Sequence, residues 1–197
     1  MASSMTSSVA PSEYKNSPPR ASATTSKQSA VVEVVLRVLL FLGSLTAVVV
    51  MVTSKQKELV PFPPFGSVPN TTRFTDTPAF VYFVAGLFRA GLYSIITTLL
   101  SISALSKPVY SKILALYVVA MDVVMLAIVA AALGTAAGVA YVGLRGNSHT
   151  RWTKICNIYD TFCQQAAVAI IVSSFVATLL IMLILHSVFT MYRKISN

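Results

Sequence analysis

Four long apolar stretches, separated by short polar ones, lay out this chain. They run over about residues 30–53, 78–105, 113–137 and 166–192. Each is longer than the roughly 20 apolar residues a helix needs to cross the hydrocarbon of a bilayer. None has an interior proline, so each predicts an unbroken helix. Apolar residues continue past 137 to 144, which predicts that the third helix extends outward or tilts. The expected fold is an all-α membrane protein, a four-transmembrane-helix bundle over 30–192 with both termini on one side. Residues 1–29 read as a disordered cytosolic tail and 193–197 as a short one.

The charges inside these stretches are few, and each needs a reason. Asp122 is the only charge in 113–144. An aspartate is too short to reach the headgroups, so its partner must come from another helix. Arg37 lies seven residues past Ala30, roughly 10 Å from the terminal boundary, and Asp122 lies roughly 13 Å from the same boundary. Arg89 sits nearer the midplane. The depth match therefore favours an Arg37–Asp122 ion pair, where a planar guanidinium can grip a carboxylate with two prongs. The competing partner for Arg37 is Glu33, four residues earlier. Arg89 could reach Asp122 or the polar patch of Ser94, Thr97 and Thr98. His186 is a further polar candidate within a span, expected to be hydrogen-bonded.

Small residues at Ala130, Gly134 and Gly138 recur every fourth position along the third span. This spacing allows a second helix to approach closely, though it does not say which one.

Composition agrees with the membrane reading. Charged residues make up 11% and hydrophobic ones 55% of 197 residues, where a soluble domain carries about 25% charged residues. The formal net charge of +9 is spread over tails and short loops, which argues against a nucleic-acid partner. The first 29 residues, rich in Ser, Thr and Pro, lack an apolar signal-peptide core, so no cleaved leader is expected. No zinc-ligand motif or nucleophile elbow occurs. Neither an enzyme activity nor a cofactor or metal site is expected.

Basic residues orient the chain poorly. With cytosolic termini, Lys15, Arg20, Lys27, Lys107, Lys112, Arg193 and Lys194 lie inside, against Lys55, Lys57, Arg73, Arg145, Arg151 and Lys154 outside. The glycosylation sequon at Asn70, between spans one and two, and the cysteines Cys156 and Cys163, between spans three and four, decide it better. Both belong outside. A straight helix would hold the two cysteines roughly 10 Å apart, while a disulfide needs less than about 7 Å. If they are bonded, the segment must bend. The prolines of the first outer loop forbid regular helix, predicting an extended segment that rests on the second loop or the outer leaflet.

An arginine in span one, an aspartate in span three and the outer-loop pattern Arg151-Trp152-x-x-Ile155-Cys156-x-x-Tyr159-x-x-Phe162-Cys163 together resemble the Casparian strip membrane domain protein-like family of plants, itself related to MARVEL-type four-span proteins. The run from Gly138 to Leu144, followed by Asn147-Ser148-His149, resembles its first subgroup. The resemblance covers the chain from span one to the C-terminus. It implies a plasma-membrane protein that forms homo- and hetero-oligomers with related four-span proteins in the lipid bilayer. In strip-forming members such assemblies guide local lignin deposition, which makes secreted wall-modifying enzymes candidate partners. Residues 59–76 do not carry the first-loop signature of those members, so the implied function is a membrane scaffold. The alternative is a small channel or transporter using the intramembrane charges. A quinone-linked oxidoreductase would need Cys-x-x-Cys, which is absent.

Tags at either terminus should therefore resist protease added to sealed cells, with any glycan found at Asn70. External removal of a terminal tag would reverse the orientation.

Overall fold

The structure, a computed structural model, describes residues 20–62, 66–106, 112–149 and 152–196. Four helices dominate: α1 (Arg20–Thr53), α2 (Pro78–Ser106), α3 (Lys112–Arg145) and α4 (Asp160–Ser196). Each is long and apolar enough to cross a membrane. They form an up-down-up-down ring in which α1 packs on α2 and α4, and α3 packs on the same two. One end of the ring carries the chain termini; the other carries the connections after α1 and α3. The first is the terminal end of the bundle and the second its loop end.

Several helix boundaries differ from those expected from the sequence. The tail expected through residue 29 gives way to helix from Arg20 onward, because adding a residue to an existing helix costs little once it is nucleated. Residues 1–19 lie outside the described residues. At the loop end α3 runs on to Arg145, in line with the apolar continuation to 144, while α4 begins at Asp160 instead of 166 and at the terminal end continues to Ser196, past the expected 192.

The inward faces follow helical spacing. Leu40, Ala47 and Met51 of α1, Phe83, Leu87 and Ala90 of α2, Val129, Ala132 and Ala136 of α3, and Ala169, Val176 and Leu180 of α4 are buried. Large apolar side chains such as Leu42, Ile96, Leu116 and Ile171 point outward. In water that belt would drive aggregation; in a bilayer it is the lipid-facing surface. Near the loop end the rings of Phe80 and Phe162 meet edge to face, with centroids 5.9 Å apart.

Close approach of the helices depends on glycines other than those expected. A Cβ at Gly86 of α2 would stand 3.0 Å from the Ala132 Cβ of α3, and one at Gly91 would stand 3.3 Å from Ser44 Oγ of α1. The stripe Ala130, Gly134 and Gly138 instead faces outward, and nothing lies within 4 Å of a Cβ built on either glycine. The stripe therefore packs against no helix of its own chain. The reason is rotational: Asp122, Val129, Ala132 and Ala136 hold the inward face of α3, which leaves the small residues on the opposite side.

Between α1 and α2 the chain forms an antiparallel hairpin, β1 (Lys55–Phe62) and β2 (Gly66–Arg73), with Lys55 opposite Arg73 and Leu59 opposite Pro69. The sequence reading expected extension but not pairing. Pro61 and Pro69 are tolerated because each strand has a free edge, where a missing N–H disrupts no ladder.

Gly86→Val should destabilise the bundle by about 1–3 kcal/mol through overpacking. Gly134→Val should stay within about 0.5 kcal/mol. Denaturant titration of the detergent-solubilised chain measures both, and equal losses would contradict the assigned seam.

Candidate functional site: an intramembrane charge cluster and a loop-end clasp

Arg37 projects from α1 into the bundle and is 1% exposed; Asp122 of α3 is 0% exposed. Their separation is 3.3 Å between Nη2 and Oδ2, and Nη1 lies 3.4 Å from Oδ1. This is the two-pronged arrangement that a guanidinium makes with a carboxylate. Glu33, one turn toward the terminal end, also accepts from Arg37, at 3.0 Å from Nη2 and 3.3 Å from Nε. The two partners weighed from sequence are thus both engaged, Asp122 across Nη1 and Nη2 and Glu33 across Nη2 and Nε. Thr97 Oγ1 of α2 takes a further bond from Nη1 at 2.8 Å.

The cluster holds one cation and two anions, and hydroxyl groups from α2 share the surplus negative charge. The Tyr93 hydroxyl donates to Asp122 Oδ1 at 2.7 Å. Ser101 Oγ donates to Glu33 Oε1 at 3.3 Å. Ser94 Oγ donates to the backbone carbonyl of Arg37. Three helices are joined this way, α2 through neutral hydroxyls and α1 and α3 through charges. Such satisfaction is what a buried pair needs to offset its desolvation. Sequence reasoning placed Ser94 and Thr97 as a polar patch but missed Tyr93. Its signal was a phenol four residues before Thr97 inside a span, since a buried Tyr hydroxyl seeks an acceptor.

The other intramembrane candidates stand apart. Arg89 lies on the outer surface of α2 and reaches neither Asp122 nor the hydroxyl patch. His186 is half-buried on α4, and its Nδ1 is buried without a hydrogen-bond partner. Among the described residues no group of three or more His, Cys, Asp or Glu could hold a metal ion.

At the loop end Cys156 and Cys163 are joined, with Cα atoms 5.6 Å apart. The chain bends between them: Cys156 sits in a turn, and Cys163 in the first turn of α4. The segment is also pinned to α3. The N–H groups of Ile155 and Cys156 donate to the Gly143 carbonyl at 3.0 and 3.3 Å. Gly146 ends α3 with φ +70° and donates back to the Val142 carbonyl, a left-handed cap. A Cβ there would lie 2.8 Å from the Trp152 carbonyl oxygen, so glycine is required twice over. Asn147 and Trp152 exchange backbone bonds of 3.0 Å. The hairpin joins this assembly through Gln56, whose Oε1 accepts from the Phe162 N–H at 2.9 Å and so satisfies one of the orphan donors at the start of α4. Asn70 lies on β2 opposite Glu58; its side chain, and Arg151, fall outside the described residues.

The sequence profile of the Casparian strip membrane protein domain matches residues 26–180. The chain belongs to this family. It is 51% identical over 165 residues to CASP-like protein 1D1 of Populus trichocarpa, covering 83% of this chain and 84% of that one. To CASP-like protein 1 of Panax ginseng it is 59% identical over 147 residues, 74% of this chain and 99% of that one. To CASP-like protein 1D2 of Arabidopsis thaliana it is 42% identical over 171 residues, 86% of each. No solved structure gives a significant match. The family match spans the charge cluster and the cysteine clasp and stops before His186. The chain is thus a multi-pass membrane protein of the CASP-like family.

Asp122→Asn and Arg37→Gln should each destabilise the bundle, by about 2.5–3.5 kcal/mol where the remaining charge is left in hydrocarbon. The double variant should lose less than the sum, because no unpaired charge remains. Tyr93→Phe should cost about 1 kcal/mol. A double-variant cycle in detergent unfolding, with surface delivery in cells as a second readout, measures the coupling; strict additivity would dissolve the pair.

Proposed function

We propose that this CASP-like chain is a self-associating scaffold of the plasma membrane that organises a membrane domain and, through it, local modification of the cell wall. In this reading the termini lie in the cytosol, the clasp and hairpin lie outside, and the partners are copies of the chain, related four-span proteins and secreted wall-modifying enzymes. It performs no catalysis of its own.

The observation that carries the reading is the contrast between the two faces of α3. Its inward face is sealed around Asp122, while its outward face presents Ala130, Gly134 and Gly138 with nothing against them. Only 11% of its spanning window is buried within the chain, the least of the four helices. Small residues spaced by four on an open face suit a second helix at close range. The alternative of a channel needs intramembrane charges that water can reach. The closed Arg37–Asp122 pair argues against it, since neither residue is more than 1% exposed.

The test is lateral association of the full chain in native membranes, followed by proximity crosslinking between differently tagged copies. Gly134→Leu with Gly138→Leu should reduce crosslinking several-fold without lowering surface level. Cys156→Ser with Cys163→Ser should weaken assembly more than insertion, by loosening the outer connection. Undiminished crosslinking in the α3 variant would remove α3 as the assembly face. Ion or solute flux through reconstituted liposomes would replace the scaffold with the channel.

A further inference from the structure

Arg89 is a charge in the wrong place for a chain that lives alone. It stands eleven residues into α2 from Pro78, roughly 16 Å at the helical rise, and its side chain is exposed on the outer surface of the bundle. Among the described residues no hydrogen bond or ion pair reaches it. Its side chain leans toward the start of α2, as helical side chains do, which recovers only part of that depth. A guanidinium on a lipid-facing surface at this level calls for an acceptor.

The chain cannot supply one, and neither can a second copy. Inside the spans its carboxylates are Glu33 and Asp122, with Asp160 heading α4 at the loop end, near the level of Pro78 and so roughly 16 Å from Arg89. Asp122 is fully buried, with both oxygens engaged by Arg37 and Tyr93. Glu33 sits at the level of Ser101, twelve residues beyond Arg89 on α2 and so roughly 18 Å deeper. A copy lying in the same membrane with the same orientation holds its Glu33 at that same depth, out of reach. Ala85, one turn from Arg89 toward the loop end, is also exposed and lets a neighbouring backbone come near.

We infer that the outward face of α2 around Arg89 docks a different membrane-spanning chain, one that presents an ionised carboxylate in the half of the bilayer nearer the loop end. This does not depend on the proposed self-association: a chain unable to assemble with itself would still bind such a helix. The partner also differs from a relative carrying only the same Arg–Asp pair, whose aspartate would be spent in the same way.

The experiment reconstitutes the full chain, with a donor dye at its C-terminus, in phosphatidylcholine bilayers at mildly alkaline pH. The probes are single-span, leucine-rich helices with an acceptor dye and one Glu, Gln or Leu at the height of Arg89. The Glu helix should associate about tenfold more tightly than the Leu helix, with Gln between them. Arg89→Leu should erase this preference and Arg89→Lys should keep part of it. Because Arg89 is exposed and unbonded, both variants should keep the parent's helicity, and transfer between donor-labelled and acceptor-labelled copies of the chain reads self-association separately. Equal association of the Glu and Leu helices, or a preference that survives Arg89→Leu, overturns the inference. So does a preference that vanishes when phosphatidylglycerol is added, which would give the guanidinium to a lipid phosphate.

Discussion

A charge in hydrocarbon has no water to solvate it, and that constraint orders this bundle around Arg37. A guanidinium has five N–H donors, and here five contacts reach Glu33, Thr97 and Asp122. Because the acceptors sit on three helices, satisfying one side chain fixes the rotation and height of α1, α2 and α3 together. Apolar packing alone is less exacting in a membrane, where lipid tails compete with leucine on equal terms. The cluster thus specifies which faces turn inward. The remaining core, from Phe83 to Leu180, packs in the register that the cluster sets. The glycines of the α1–α2 and α2–α3 seams, Gly91 and Gly86, allow the helices to come close enough for a side chain to bridge them.

The loop end solves a different problem with different means. Four helices that end in water leave unpaired N–H and C=O groups, and short connections must cover them. Gly146 reverses the chain, Gly143 accepts from two successive N–H groups, Gln56 reaches from the hairpin to the first turn of α4, and the disulfide fixes the bend between α3 and α4. A covalent bond suits this end, since water weakens every polar contact there, whereas the buried cluster keeps its strength in a dry interior.

Much of this was legible in the residues. Span number followed from apolar length, and the Arg37–Asp122 contact from matching depths along two helices, which needs only the helical rise. The bend between the cysteines followed from the mismatch between helix length and disulfide reach. What escaped was lateral. Depth is linear in sequence, but the direction a helix face points depends on its neighbours. Hence the stripe of Ala130, Gly134 and Gly138 could be seen but not aimed, and Tyr93 could be read as core instead of as the donor to Asp122. The hairpin escaped because Pro61 and Pro69 argue against strands in a wide sheet but not in a ribbon with two free edges. The onset of α1 at Arg20 escaped because composition reports what cannot form a core, not what a neighbouring helix can extend.

The two arginines of the spans make the same point physically. Arg37 and Arg89 are the same residue in neighbouring helices, and hydropathy treats them alike. One faces acceptors from two other helices and is closed off; the other faces out and meets none. Paired charge within a chain makes its fold specific and leaves little for a partner to recognise, because Glu33 and Asp122 already share Arg37 and the hydroxyls of Ser101 and Tyr93. Unpaired charge on the surface does the reverse: it adds nothing to the isolated bundle and makes the surrounding membrane part of its energetics. A single helix, α2, therefore serves both purposes, with Tyr93, Ser94 and Thr97 turned toward the cluster and Arg89 turned away from it, so the internal fold and the outward surface can change independently.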